Sequence, residues 1–359
     1  MVCIVAFVVV LVLSAVSAKY RKLLGRAWGC FSRRITFRAC DTTFRDDIKS
    51  SMLAPLAVRA PRLVKPASIG IEVLAWVMVL SMIVSVYLLG RSGLNLFVYG
   101  TCDKEDGQSC SLAAQMCSID GGQAGFWDTA LRGDVLGAFG NEFSSLGETI
   151  AAVPSRLKTW DAAEYAPADA TYLGGYDPAR PVALEILDPG CRFCAELFRN
   201  MQASGFDQTH NVTYLPYPIR SEIGYKFANS PLIAAYLTAV RQFEAQSPTG
   251  LAETGDWYVL EQLFTTDADG GGTTQEWMND ASADDAAARL QAWLADAGYT
   301  PDQVAQIVAL SDSPAVAAEL ARIRTVVEDE IDTVAIPTLI GGGRLHAGLA
   351  DVDTLRGMD

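Results

Sequence analysis

Asp188-Pro189-Gly190-Cys191-Arg192-Phe193-Cys194-Ala195-Glu196-Leu197-Phe198 is the stretch that decides the fold of this chain. Before it runs the apolar Val182-Ala183-Leu184-Glu185-Ile186-Leu187, and from Cys194 to Met201 apolar residues recur at helical spacing, so the whole reads as strand, tight turn and helix. Cys191 then stands at a helix N-terminus, where unsatisfied backbone N–H groups and the positive end of the helix dipole favour a thiolate. The thiolate is the species that attacks a disulfide, which makes Cys191 the candidate nucleophile. One turn later, Cys194 is in reach of Cys191 and can displace any sulfur bonded to it, the resolving role in thiol–disulfide exchange.

The same spacing is half of a zinc site. Completing one takes a second Cys or His pair at short spacing, and the two histidines, His210 and His346, stand alone. Inert buried cysteines seldom fall at a strand-to-helix turn, so the redox reading is preferred and no metal or organic cofactor is called for.

At 359 residues the chain has room for an anchor and a well-buried domain. From Lys19 to Lys65, twelve Lys and Arg face three Asp, a net +9 in a chain whose formal charge is −14. The remainder, at −23, is poorly suited to nucleic acid or anionic lipid. Met1 to Ala18 has no charged side chain and Ile71 to Leu89 has only Glu72, so both are expected to span a membrane. The positive loop 19–66 is retained in the cytoplasm, and everything after Arg91 faces outward. A cleavable signal ending at Val16-Ser17-Ala18 would reverse this topology, but the chain lacks the basic start such a signal carries.

Three regions follow: a two-span anchor (1–100), a cysteine-containing stem (101–171) and a domain from Tyr172 to Asp359. Cys3, Cys30 and Cys40 read as free thiols in a reducing compartment. In the stem, Cys102 and Cys110 flank a turn-forming stretch and are the expected structural disulfide. That leaves Cys117 over, free or paired elsewhere, with a relay from these cysteines to Cys191 as a further reading. Phe126 to Leu146 is expected to form amphipathic helices broken at Gly133, Gly137, Gly140 and Gly147, with an apolar face against the domain or a membrane surface.

In the last region, Asn211 to Pro218 reads as a second strand, and Asn211-Val212-Thr213 is a weak glycosylation triplet. Residues 221–332 read as four or five helices, with Ser230-Pro231, Thr300-Pro301 and Ser313-Pro314 as starts and Ser282 with Asp285 as a capping box. Asp267 to Thr273 reads as a solvated acidic loop. Thr333 to Ile340 is β-rich, and Gly341-Gly342-Gly343 turns the chain back through Leu345 and His346. Pro337 inside it fits a strand that begins after a cis Ile336–Pro337 bond, leaving backbone open to a visiting peptide.

A strand ending in Cys-x-x-Cys at a helix start, followed much later by Ile-Pro-Thr before a hairpin, resembles the thioredoxin superfamily. The long helical interval between Cys194 and Pro337 is similar to the DsbA-like branch, so the expected fold is α/β, thioredoxin-like with a DsbA-like helical insertion, preceded by two transmembrane helices. The resemblance implies that Cys191 attacks, Cys194 resolves, Pro337 is the facing cis-proline and Ile336 lies beside the substrate. It also implies that Glu185 is the buried acid under the cysteine pair, and burial of a lone Glu in an apolar strand would raise its pKa as that role needs. On an alternating strand Glu185 would instead point to solvent. Arg192-Phe193 departs from the family's usual dipeptides. Arg192 should lower the Cys191 pKa and push toward an oxidant, while Phe193 offers apolar surface to a substrate.

The expected function is a membrane-anchored, extracytoplasmic thiol–disulfide oxidoreductase that forms, reduces or isomerises disulfides in exported proteins. It needs a redox partner to recycle the pair. The alternative is a tethered client-binding module with a structural cysteine pair.

Overall fold

A computed structural model of the chain describes residues 61–102, 115–119, 126–221, 223–251, 253–268 and 270–358. The expected span 1–18, most of the basic loop, and Cys3, Cys30, Cys40 and Cys110 lie outside the described residues. The chain divides into two units, Met1–Arg91 and Ser92–Asp359.

Helix α1 (Val64–Tyr99) starts in the first unit and ends in the second. Ile69, Val73, Trp76, Leu80, Ile83 and Val86 on it are exposed, an arrangement that water disfavours and lipid does not. Its Leu80–Tyr99 portion is long and apolar enough to cross a membrane. The expected span 71–89 lies wholly within this helix, but the portion apolar enough to cross is Leu80–Tyr99, which overlaps the expected span only over 80–89.

The second unit continues with β1 (Cys117–Ser118), α2 (Phe126–Leu131), α3 (Val135–Leu157) and the one-turn α4 (Ala162–Tyr165). The expected break at Gly133 falls in the turn between α2 and α3, but α3 is unbroken through Gly137, Gly140, Gly147 and even Pro154, a correction to the breaks expected there. An interior glycine costs about 1 kcal/mol relative to alanine, which lowers stability but does not stop a helix that has other contacts. One such contact is the buried Thr149, which donates to Asn95 at 3.0 Å. The face turned inward carries the small residues Ala138, Ser145, Thr149 and Ala152, while Leu136, Phe139, Phe143, Ile150 and Leu157 are exposed.

Then come β2 (Val182–Leu187), α5 (Arg192–Ser204), α6 (Phe206–Thr209) and β3 (Asn211–Pro216). The short strands β4 (Arg220–Ser221) and β5 (Gly224–Tyr225) form a separate hairpin. Six helices follow: α7 (Ser230–Gln246), α8 (Gly255–Thr265), α9 (Thr274–Asp280), α10 (Ala283–Asp296), α11 (Pro301–Ser311) and α12 (Pro314–Thr325). After a π-helical turn, the unit ends with β6 (Ala335–Ile336), β7 (Thr338–Gly341), β8 (Arg344–Ala347) and α13 (Val352–Arg356).

The central sheet has the order β3-β2-β7-β8, with β2 parallel to β3, antiparallel to β7, and β7 antiparallel to β8. A βαβ unit joined to a ββα unit in this order is the thioredoxin-like topology, and α7 to α12 are inserted between its halves. As the inner strand, β2 is covered on both faces, so Ala183 through Leu187 are all buried and Glu185 has no route to solvent. Helix α5 is stopped by Gly205, whose left-handed φ of 75° lets its N–H reach the Gln202 and Met201 carbonyls. Its inward face, Leu197, Phe198 and Met201, joins Trp257 and Phe264 of α8 in the core.

The starts at Thr300 and Ser313 are as expected, and Thr300 forms a full capping box with Gln303. Ser282 accepts from the Asp285 N–H. Ser230 differs: Asn229 holds the N-cap position, and the Ser230 hydroxyl is used elsewhere. The described residues of the acidic loop are largely exposed, as expected, and its last residue, Thr273, forms a capping box with Glu276 that starts α9. Asn211 is buried, and its amide donates to the Asp177 and Arg180 carbonyls at 2.7 Å each, so the glycosylation triplet is inside the protein.

Candidate active site at Cys191

Cys191 is the N-cap of α5, in extended conformation, as the strand–turn–helix reading requires. The turn that carries it is held by groups from distant parts of the chain. Gly190 donates its N–H to Asp188 Oδ1 at 2.8 Å and to Ser230 Oγ at 3.0 Å, and Ile219 donates to Asp188 Oδ2 at 2.7 Å. The Ser230 hydroxyl itself donates to Asp188. From α9, Gln275 Nε2 donates to the Pro189 carbonyl at 2.7 Å and the Cys191 carbonyl at 3.0 Å, and Asn279 Nδ2 donates to the Gly190 carbonyl at 3.0 Å. Position 190 also has no room for a side chain, since a Cβ there would lie 2.4 Å from Phe227. The insertion therefore fixes the backbone on which Cys191 sits.

The Cys191 sulfur is bonded to Cys117, with a Cα–Cα distance of 6.3 Å across 74 residues of sequence. Cys194 is a free, buried thiol. Of the expected structural pair, Cys102 is disulfide-bonded, while Cys110 lies outside the described residues.

Residues around Cys117 form a short strand across the mouth of the site. Cys117 is registered with Ile336 and Ser118 with Ala335, antiparallel. Ile119 donates to the Val334 carbonyl at 2.9 Å, Leu349 donates to the Gln115 carbonyl at 2.8 Å, and Lys226 Nζ donates to the Ser118 carbonyl at 3.2 Å. The Ile336–Pro337 bond is cis, and the Ile336 carbonyl oxygen lies 3.7 Å from the Cys191 sulfur. The backbone expected to stay open for a visiting peptide is thus taken by the chain's own stem.

Beneath the cysteines, Glu185 is fully buried, and neither carboxylate oxygen has a hydrogen-bond partner. The side chain therefore points to the interior, and that burial raises its pKa to about 8. Burial also pushes the Cys194 thiol well up, with the negative charges of Glu185 and Asp188 acting the same way against a hydrogen bond from the Asp188 backbone. Asp188 is raised to about 6 by burial, an effect opposed by its hydrogen bonds from Ile219, Ser230 and Gly190 and by the charge of Lys226. Two acids and one thiol share this interior, and each is easier to keep protonated than in water.

Arg192 is exposed, with its guanidinium 4.6 Å from the centre of the Phe193 ring. Phe193 is itself buried in the core rather than displayed. Ile336 and Pro337 are buried beneath the Cys117 strand. Among the described residues, no group of three or more His, Cys, Asp or Glu is placed to hold a metal ion.

Cys191, Cys194, Glu185, Ile336 and Pro337 thus meet at one place. The roles of Asp188, Ser230, Gln275 and Asn279 were not read from the sequence. The Thr273-x-x-Glu276 spacing was the available signal for α9, and hence for its two amides.

No family model matches the chain, and no curated protein does. Several solved structures do. A thioredoxin-like oxidoreductase from Silicibacter pomeroyi DSS-3 is 16% identical, with 54% of this chain covering 92% of that one at a TM-score of 0.37. The thiol-disulfide exchange protein alpha-DsbA2 from Wolbachia pipientis is 15% identical over 53% and 85% of the two chains, with a TM-score of 0.38. Proteus mirabilis ScsC in a transitional conformation is 16% identical over 65% and 94%, with a TM-score of 0.35.

Proposed function

We propose that this chain is a membrane-anchored thiol–disulfide oxidoreductase that acts outside the cytoplasm on cysteine-containing exported proteins through Cys191 and Cys194. The observation that carries the reading is the state of Cys191. It sits at a helix N-terminus, bonded to a cysteine on an extended strand, with a free thiol one turn behind it over an unpartnered carboxyl group. This is the arrangement of an exchange enzyme joined to a substrate by a mixed disulfide.

In the oxidising direction, a client thiolate attacks Cys191 of a Cys191–Cys194 disulfide. A second client thiol then attacks the client sulfur and leaves both enzyme cysteines reduced. In the reducing direction, Cys191 attacks a client disulfide and Cys194 displaces the client. Cys194 must lose its proton for that displacement, and Glu185 in its ionised form is the base beside it. Helix α5 and the Arg192 cation favour the Cys191 thiolate, which stabilises the reduced pair and favours disulfide donation.

Exposed apolar residues along α1, together with the basic residues before it, support an anchor with its positive side in the cytoplasm. A redox partner outside the cytoplasm or in the membrane would recycle the pair.

The test is a titration of the full chain, in detergent micelles, against glutathione buffers. A potential toward about −120 mV marks a disulfide donor, and one near about −270 mV marks a reductant. Cys191→Ser should abolish exchange with a model client. Wild-type activity in that variant would refute the catalytic reading and favour a tethered client-binding module.

A further inference from the structure

We propose that Cys117 is a third redox-active cysteine, which exchanges on and off Cys191 while its strand occupies the groove that a client peptide uses. The inference rests on the functional reading above and adds to it a resident competitor for the client site. Two independent features carry it: the Cys117–Cys191 bond, and the pairing of Cys117–Ser118 with the Ala335–Ile336 strand next to Pro337.

A covalent staple requires only that two sulfurs meet. Here the residues on both sides of Cys117 are also docked through backbone hydrogen bonds from Gln115 to Ile119, as an added strand would be. Met116 and Ser118, the immediate neighbours of the cysteine, are buried. The groove thus holds an extended peptide with a large apolar residue before its cysteine and a small polar one after it. A client of that pattern would need the same backbone groups and the same sulfur, so it and the stem strand exclude one another.

The exchange balances within the chain. The Cys194 sulfur, once deprotonated, attacks the Cys191 sulfur. The Cys191–Cys194 bond forms as the Cys117–Cys191 bond breaks, and Cys117 departs as a thiolate that takes up a proton equivalent to the one Cys194 lost. The Cys194 sulfur rises from the thiol to the disulfide level as the Cys117 sulfur falls from the disulfide to the thiol level, so the chain is neither oxidised nor reduced overall. The two disulfide forms are therefore isomers, and no external oxidant or reductant sets the ratio between them.

That property gives the experiment. The full chain in detergent micelles is equilibrated with glutathione buffers across a range of potentials, quenched in acid, alkylated and digested. Peptides linked through Cys117–Cys191 and Cys191–Cys194 are then quantified by mass spectrometry. Both forms should be present wherever the protein is oxidised, in a ratio that stays constant as the potential changes. Ile119→Pro deletes the donor to Val334 and should shift the ratio about five-fold toward Cys191–Cys194, the worth of one hydrogen bond. Cys194→Ser should leave only the Cys117–Cys191 form. Cys117→Ser should leave only the Cys191–Cys194 form and oxidise a model client thiol faster than the wild type.

Wild-type protein holding a single form at every oxidising potential, unmoved by Ile119→Pro, would overturn the inference. If Cys117→Ser still exchanged with the client in that case, the functional reading would stand alone. If Cys117→Ser neither formed Cys191–Cys194 nor exchanged with the client, both would fall.

Discussion

Replacing Glu185 by Gln should make the protein more stable and less able to resolve a mixed disulfide. The carboxyl has an ordinary value of 4.5 and is raised to about 8 by burial. Between those two values the native state holds a proton that the unfolded chain has lost, so native stability falls as pH rises through that window and levels off above it. The slope is about 1.4 kcal/mol per pH unit, which accumulates to about 3 kcal/mol at pH 7 and about 5 kcal/mol above pH 8. Gln is close to the same shape and never ionises. Its amide would be as unpartnered as the protonated acid, so the cost of a buried polar group largely cancels between the two. Glu185→Gln should therefore match the wild type near pH 4.5 and exceed it by about 3 kcal/mol near pH 7. Urea unfolding in detergent, followed by tryptophan fluorescence, to which the buried Trp160, Trp257 and Trp293 contribute, reads this difference at each pH. Loss of the base beside Cys194 should slow release of a Cys191-bound client by about 100-fold or more. A stability difference that does not change between pH 5 and 8 would refute the assignment of Glu185 as a buried, proton-holding carboxyl. A gain in stability with unaltered release would refute its part in proton transfer.

Gly190→Ala places a Cβ 2.4 Å from Phe227 and 2.7 Å from Asn279 Oδ1, and should cost about 1 to 3 kcal/mol in thermal or urea unfolding. Gln275→Ala removes the donor to the Pro189 and Cys191 carbonyls, and should cost about 2 kcal/mol with slower thiol exchange, because the turn beneath Cys191 loses its clamp. Arg192→Glu exchanges a cation beside Cys191 for an anion. In a Cys117→Ser background with the pair reduced, Cys191 alkylation at mildly acidic pH should slow several-fold and the reduction potential should fall.

How much of this was legible in the sequence depends on the distance over which each feature is determined. The strand, turn and helix around Cys191 are local, and Val182–Leu187 forms as read because its apolar run suits a strand buried on both faces. The orientation of Glu185 was open, since an alternating strand and a central one give opposite answers. The sheet order makes β2 an inner strand, and cover on both of its faces, seen in the burial of Ala183 through Leu187, decides for burial. Ser230 was misread for a similar reason. Ser-Pro is a good local helix start, but the buried Asp188 carboxyl, 42 residues away, takes the hydroxyl for itself. Gly137 and Gly140 were misread the other way, because the local cost of glycine is smaller than the gain from the contacts α3 makes.

Cys117 is the extreme case. Spacing favoured Cys102 with Cys110 and left Cys117 without an assigned partner, and the bond to Cys191 joins residues 74 apart. Yet the position is not arbitrary once β6 is in place. A strand added antiparallel to Ala335–Ile336 brings one residue opposite Ile336, and the Ile336 carbonyl is already 3.7 Å from the Cys191 sulfur. Whichever residue occupies that register therefore comes up against the reactive sulfur. In antiparallel pairing, moving the stem by one residue would put Met116 or Ser118 there and turn the cysteine to the opposite face. Register, rather than proximity in sequence, selects the sulfur that Cys191 meets. A client entering by the same backbone pairing would be held to the same requirement, with its cysteine opposite Ile336.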